Sequence, residues 1–496
     1  MRTRLVGVAG AIIVIFLGLF LLLPDRGTKF LAFTSAILAA SFYLLAVWRE
    51  MRRDEARRWR RATSAYSLIL FWVLFLTLPV VYAVSVLLAN PLGTSSLLFI
   101  ISLMGLTFTL FYDFINLPLA LYHKEVEERR LRRPLAAHPM VTLLVPAYDE
   151  ERCLEKTLEA LLEVDYPSYE IIVVDDGSRD STYQLARRFA SRGVKVVRRP
   201  NGGKAAALNM GLFFAKGEII VTVDADSLVS RDGLMELVRL FADPRVMAVC
   251  GNVKVLNRVN LLTRLQALEY IVDINIAKRA FDVFGSTMVV PGVLGAFRRE
   301  ALEAVGRYDP DTLTEDFDAT LKVLKSGSVV QATALAEAYT EAPETLGDLY
   351  RQRRRWYAGT LQTLFKHGDV VRNPRFGFLS GLGYPYLLIS ILFVPLAGLM
   401  ALMSGMLAAL MGELMNFLQI LGLFILLELL FSLLAIMMDG EDLRLLLLAP
   451  LFVIGYRQIR DIIRLEAMIE VLLRRRVRWT RAARMGRAKE MLVPKA

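Results

Sequence analysis

Glu170-Ile-Ile-Val-Val-Asp-Asp-Gly-Ser178 and Glu218-Ile-Ile-Val-Thr-Val-Asp-Ala-Asp226 share one pattern: a short apolar run that stops at a pair of carboxylates. Runs of this length, rich in β-branched residues and closed by Asp, Gly or Ser, read as buried strands. Val141-Thr-Leu-Leu-Val145 upstream reads the same way, and so does Val194 to Arg198. Arg152 to Leu162, Ser181 to Arg192 and Lys204 to Ala215 lie between them and read as helices. Strand and helix alternating at this spacing imply parallel βαβ units. In such sheets ligands bind beyond the carboxyl ends of the strands, where both acidic pairs fall.

Carboxylates one residue apart at a strand end can share a hard divalent cation. Magnesium or manganese then bridges them to substrate phosphates, so Asp224 and Asp226 are the candidate metal ligands. Taken singly, each pair also reads as solvated turn acids or helix caps. Two acidic strand ends in sequence order favour a site. Between them, Asn201-Gly-Gly-Lys204 places a flexible loop and a cation before a helix, which suits a phosphate or a nucleotide base.

Outward from this centre the chain turns apolar. Over 496 residues it is 55% hydrophobic, with a mean hydropathy of +0.45, and the excess sits at its two ends. Leu5–Leu23, Phe30–Trp48, Tyr66–Ala89 and Ser95–Tyr122 are each long enough to cross a bilayer, as are Leu387–Leu410 and Phe417–Met437. Leu445–Tyr456 is too short and reads as interfacial or re-entrant. The net charge of +11 is concentrated beside these spans, at Arg49–Arg61, Lys124–Arg133 and Arg457–Arg484. That placement fits anionic lipid headgroups rather than nucleic acid, and it puts the centre on the cytoplasmic side. Within the spans, Asp113 and Asn116, which share a helical face, and the mid-span Glu428 read either as lining a polar path or as interhelical hydrogen bonds. Cys153 and Cys250 form no metal or disulfide array, and His123, His138 and His367 are isolated. Leu261–Phe284 carries an apolar stripe opposed by Arg264, Asp273 and Arg279, and reads equally as an interfacial or a core helix.

Val145-Pro-Ala-Tyr-Asp-Glu150, Val174-Asp-Asp-Gly-Ser178, Gly203-Lys-Ala-Ala-Ala-Leu-Asn209 and Asp224-Ala-Asp226 resemble, in order, the motifs of family-2 inverting glycosyltransferases with a GT-A fold. Pro291-Gly-Val-Leu-Gly-Ala-Phe-Arg298, Thr314-Glu-Asp316 and Gln352-Arg-Arg-Arg-Trp356 extend the likeness to the processive branch, most nearly to poly-N-acetylglucosamine synthases, with cellulose and hyaluronan synthases as relatives. Pro291 stands where many relatives carry Ser. The resemblance implies an α/β GT-A (Rossmann-like) cytoplasmic domain at residues 138–375, inserted between bundles of transmembrane α-helices at 1–133 and 376–496.

The same resemblance implies roles. Asp316 is the base; Asp224 and Asp226 hold Mg2+ or Mn2+; Pro146, Tyr148, Glu150, Asp175, Asp176, Lys204 and Asp224 bind the donor. Gly295, Glu315, Gln352, Arg355 and Trp356 meet the acceptor and diphosphate. A helix cap is the plain alternative for Asp316, and a basic surface helix for the last group. The expected partners are a UDP-sugar, a growing glycan or lipid-linked acceptor, and membrane lipids, with no nucleic acid. The expected activity is polymerisation of UDP-N-acetylglucosamine or UDP-glucose into a β-linked, exported polysaccharide. Two alternatives remain: transfer of one sugar to a lipid carrier, and a transporter or receptor that only binds nucleotides.

Overall fold

The computed structural model describes residues 116–131, 138–475 and 486. Three of the four expected N-terminal spans, and most of the fourth, lie outside them. The chain divides into two compact units, one of Asp113–Leu392 with Leu429–Ala496, the other including Phe393–Glu428.

The larger unit is built on one mixed sheet. Its strands are β1 (Val141–Ala147), β2 (Tyr169–Asp175), β3 (Val194–Arg198), β4 (Ile219–Thr222), β5 (Ser227–Val229), β6 (Val246–Val255), β7 (Gly295–Arg298) and β8 (Val329–Thr340), in the order β3-β2-β1-β4-β7-β6-β8-β5. The four strands read from the sequence make the parallel half, β3-β2-β1-β4. Residues throughout β1 and β4 are buried, as a parallel sheet covered on both faces requires. β7 runs antiparallel to β4 and to β6, and it carries Gly295 opposite both Thr222 and Cys250. The Lys204–Phe214 helix lies close on β1 because Gly211 has no side chain; a Cβ there would fall 2.0 Å from Leu144 Cδ1.

A second core lies under the Leu261–Glu269 helix, where Leu265, Leu268, Val272 and Ile276 pack with Phe431, Ile436 and Phe452. The core reading of Leu261–Phe284 therefore holds for most of the stripe. Arg279 departs from the expected polar face: it is buried and ion-paired with Asp439, which also accepts from Asn252 at 2.9 Å and Asn275 at 3.1 Å. Asn116 donates to Tyr386 Oη, an interhelical bond, and His123 is buried against Asp282 at 3.0 Å. Helical structure runs from Leu379 to Gly412, long and apolar enough to cross a membrane, with Phe393, Met400, Met403 and Leu410 exposed. A second long apolar helix is Leu414–Asp439. The stretch Leu445–Tyr456 is not one helix: a 3-10 segment and a short α-turn end at non-helical Ile454 and Gly455.

At the centre of the second core sits a buried charge group. Glu269 meets Arg353 at 2.7 Å and Arg460 at 3.1 Å, and accepts from Tyr456 Oη. Burial alone would raise the Glu269 pKa, but the two guanidiniums outweigh it and hold it at about 2. The stabilisation this carboxylate contributes is present above its ordinary pKa and is lost only as pH falls toward 2. Replacing Glu269 by Gln leaves the buried Arg353 guanidinium without counter-charge, while Arg460 keeps its pair with Asp273; the cost is about 3–5 kcal/mol. Thermal unfolding of purified Glu269→Gln at neutral pH should show a clear fall in Tm; an unchanged Tm would remove this group from the stabilising core.

Candidate active site

Four side chains converge beside one glycine at the carboxyl end of β4. Gly203, at φ 86°, turns the chain into the Lys204–Phe214 helix, a conformation that favours glycine. Lys204 Nζ reaches Asp224 Oδ1 at 2.6 Å and Glu315 Oε1 at 3.3 Å. The Gly292 N–H donates to Asp316 Oδ2 at 3.2 Å. A Cβ on Gly292 would lie 2.5 Å from Lys204 Nζ and 3.2 Å from Asp224 Oδ1, so only glycine leaves this space open.

Glu315 and Asp316 occupy the first turn of the Glu315–Lys325 helix, where the helix dipole favours acids. Thr314, not Asp316, is the cap residue, and Asp316 Oδ1 accepts the Phe317 amide at 2.8 Å. Thr314 is itself held by Thr363 at 3.2 Å, and Gly359 has no side chain to clash with it. The Leu346–Lys366 helix thus fixes the loop that carries the acids. Burial raises the Glu315 pKa, with Lys204 opposing and Asp316 adding to the rise. For Lys204, burial works against the charge, yet Asp224, Glu315 and Asp316 outweigh it and raise the pKa. The ammonium stays charged because the carboxylates surround it.

Asp226, two residues beyond Asp224, is buried, its Oδ1 accepting from Ser227 Oγ at 3.1 Å. Asp224 and Asp226 offer hard oxygen donors one residue apart, and Gly292 keeps room beside Asp224. Such a donor set fits a divalent cation that completes its shell with water and phosphate. Among the described residues, Asp309, Asp311 and Asp318 also gather carboxylate oxygens. They already share a cation, since Lys366 Nζ lies 2.7, 2.8 and 3.0 Å from them.

The β1 and β2 ends are tied together nearby. The Asp176 amide donates to Ala147 O, the Asp149 amide to Ser178 Oγ and the Glu150 amide to Thr182 Oγ1. These bonds set Pro146, Tyr148 and Glu150 beside Asp175 and Asp176. Asp175 is fully buried, accepts the Ser178 amide and pairs with Arg198 at 3.1 Å. Asp176 binds Arg199 at 2.7 Å and both the Gly202 and Gly203 amides. The Gly202 and Gly203 amides of the glycine loop thus both donate to Asp176, which holds the loop ahead of Lys204. Asn209 likewise has a structural task, bonding the Tyr308 backbone at 2.8 and 3.1 Å.

Gln352 and Trp356 belong to the Glu269 group. Gln352 is buried and accepts from Arg353 at 2.6 Å. The Arg353 guanidinium lies 4.2 Å over the Trp356 ring, Tyr270 stands 6.5 Å away, and Trp356 packs partly buried against the second core. Arg355 is half-buried, and Gly295 is buried where a Cβ would meet Pro291 O at 2.6 Å. Arg353 and Gly292 were not singled out from the sequence. The available signal was a glycine beside Pro291 and an acid, Glu269, inside an apolar stripe.

Comparison with known proteins bears on the family and the fold. Residues 142–306 match the family described as Glycosyl transferase family 2. The chain is 33% identical over 229 residues to a poly-beta-1,6-N-acetyl-D-glucosamine synthase of Staphylococcus aureus, covering 46% of this chain and 56% of that protein. It is 31% identical over 256 residues to the synthase of the same name from Staphylococcus epidermidis, covering 50% and 62%. The chain thus spans little more than half the length of the curated relatives it matches. A mannosyltransferase from Pyrobaculum calidifontis, solved in complex with GDP-Man and Mn2+, shares the fold at TM-score 0.50 and 24% identity, covering 76% of this chain and 100% of its own. The chain is an enzyme with a GT-A fold, and residues 142–306 are its family 2 glycosyltransferase domain.

Proposed function

We propose that the chain is a membrane-bound, processive, inverting transferase. It polymerises a UDP-activated sugar, N-acetylglucosamine or glucose, into a β-linked polysaccharide and passes it across the bilayer. The observation that carries the reading is the convergence of Lys204, Asp224, Glu315 and Asp316 on Gly292. It sets a candidate base beside a cation-seeking strand end, as sugar transfer from a nucleotide requires. The names of the synthases it resembles favour N-acetylglucosamine as the sugar.

In this reading the acceptor hydroxyl attacks the anomeric carbon as the bond to the nucleoside diphosphate breaks. Asp316 accepts the hydroxyl proton. Asp224 and Asp226 would hold Mg2+ or Mn2+, which would supply positive charge to the leaving diphosphate when bound. Lys204 adds charge beside it. Pro146, Tyr148, Glu150, Asp175 and Asp176 shape the nucleoside pocket, Asp176 by anchoring the glycine loop. Gly295, Glu315, Gln352, Arg355 and Trp356 serve the acceptor end. The exposed apolar run within Leu379–Gly412, together with the basic segments, supports a multi-pass membrane protein with this domain on the cytoplasmic side.

Three outcomes test this. Excess chelator should abolish transfer and Mn2+ or Mg2+ should restore it, with Asp226→Asn inactive yet unchanged in Tm; full activity in chelator would remove the metal. Asp316→Asn should keep donor affinity and lower turnover by roughly two to four orders of magnitude. Weakened donor binding with turnover preserved would make Asp316 a nucleotide contact. Trp356→Ala should shorten the polymer while sparing the donor dissociation constant, because a sugar's apolar face stacks on an indole. An unchanged product length distribution would leave Trp356 a packing partner of Arg353, and single-sugar products from the wild type would favour a lipid-carrier transferase.

A further inference from the structure

Two adjacent cations on the Ile276–Asp282 helix have different fates. Arg279 is buried on Asp439. Lys278 is half-buried and makes no ion pair among the described residues; its one hydrogen bond there runs to Gly251 O, at a long 3.4 Å. An ammonium carries three N–H donors, so two remain unmatched in a partly desolvated place. Burial lowers the Lys278 pKa, while Cys250, Asp439 and Asp316 stand within its electrostatic reach.

The position is close to the reacting end. The Gly251 N–H donates to Leu294 O at 3.0 Å, and a Cβ on Gly251 would fall 2.6 Å from Leu294 Cδ2. Leu294 ends the segment that begins at Pro291-Gly292, and the Gly292 amide holds Asp316. Lys204 approaches Gly292 from the β4 side, bound to Asp224; Lys278 stands on the β6 side. Its helix continues from the Tyr270–Asn275 segment, and Tyr270 and Ile276 lie in the core against which Trp356 packs.

We propose that Lys278 is an acceptor-binding residue, donating its unmatched N–H groups to a hydroxyl or amide oxygen of the acceptor chain's terminal sugar. This rests on the transferase reading above. A neutral sugar oxygen suits the position, because the carboxylates that would claim the ammonium are already held by Arg279 and Gly292.

The test compares wild type, Lys278→Met and Lys278→Arg, using a short N-acetylglucosamine oligosaccharide as acceptor and the UDP-sugar that the wild type turns over. Lys278→Met should raise the acceptor KM by roughly ten- to hundredfold, the worth of a charged donor. Donor affinity, measured by calorimetry, should stay within about twofold of wild type, and Lys278→Arg should recover most of the loss. An acceptor KM unchanged in Lys278→Met, or acceptor and donor weakened together in a folded protein, would overturn the assignment. Should Lys278→Met lose donor binding through misfolding, Lys278→Gln takes its place in the same comparison. A wild type that releases no nucleoside diphosphate from any donor would instead defeat the transferase reading itself.

Discussion

Three carboxylates crowd the end of β4, and one ammonium makes that crowding tolerable. Asp224 comes from one segment and the adjacent Glu315 and Asp316 from another, and without Lys204 their mutual repulsion in a partly desolvated space would push them apart. Lys204 can reach them only because Gly203 turns the helix start toward β4 and Gly292 leaves the space beside Asp224 open. The loop conformation, the missing side chain and the charge balance depend on one another. A divalent ion at Asp224 and Asp226 would enter surroundings already arranged for positive charge.

The second buried charge group has a different character. Glu269, Arg353 and Arg460 join the helix after β6, the Leu346–Lys366 helix and the C-terminal Arg457–Leu472 helix. Arg354 with Glu470, and Tyr350 with Glu466, continue this contact toward the surface. Removing one member of such a group costs more than the group as a whole contributes. That asymmetry ties the three helices into a fixed relation. The same Leu346–Lys366 helix carries Trp356 and, at its far end, holds Thr314. Packing therefore couples the acid loop to the segment that would meet the acceptor.

Much of this was legible in the sequence where it was local. The parallel strands announced themselves as apolar runs ending in acids, and Asp175, Asp176, Asp224 and Asp226 sit at those ends, whereas Glu315 and Asp316 open a helix. β6, β7 and β8 were not read as strands, because their pattern mixes polar residues such as Asn252, Lys254 and Glu337 that the fold pairs with one another or with distant segments. The glycine loop at 201–203 was visible as a loop, but its binding to Asp176 needs a contact some 25 positions away. Arg279 and Arg353 looked like members of polar helix faces. Their burial depends on Asp439 and Glu269, carboxylates far off in sequence, which periodicity cannot register. His123 and His367, read as isolated in the sequence, each meet a buried aspartate distant in sequence, Asp282 and Asp318.

The most direct measurement is an assay of the purified chain with Mn2+ or Mg2+ against a panel of UDP- and GDP-sugars, recording nucleoside diphosphate release and sizing the products. The account predicts release from a UDP-sugar, with UDP-N-acetylglucosamine or UDP-glucose the productive donor, and a distribution of long glycan chains. Release without a product longer than one added sugar would contradict processive synthesis, and no release from any donor would contradict the transferase assignment of the site.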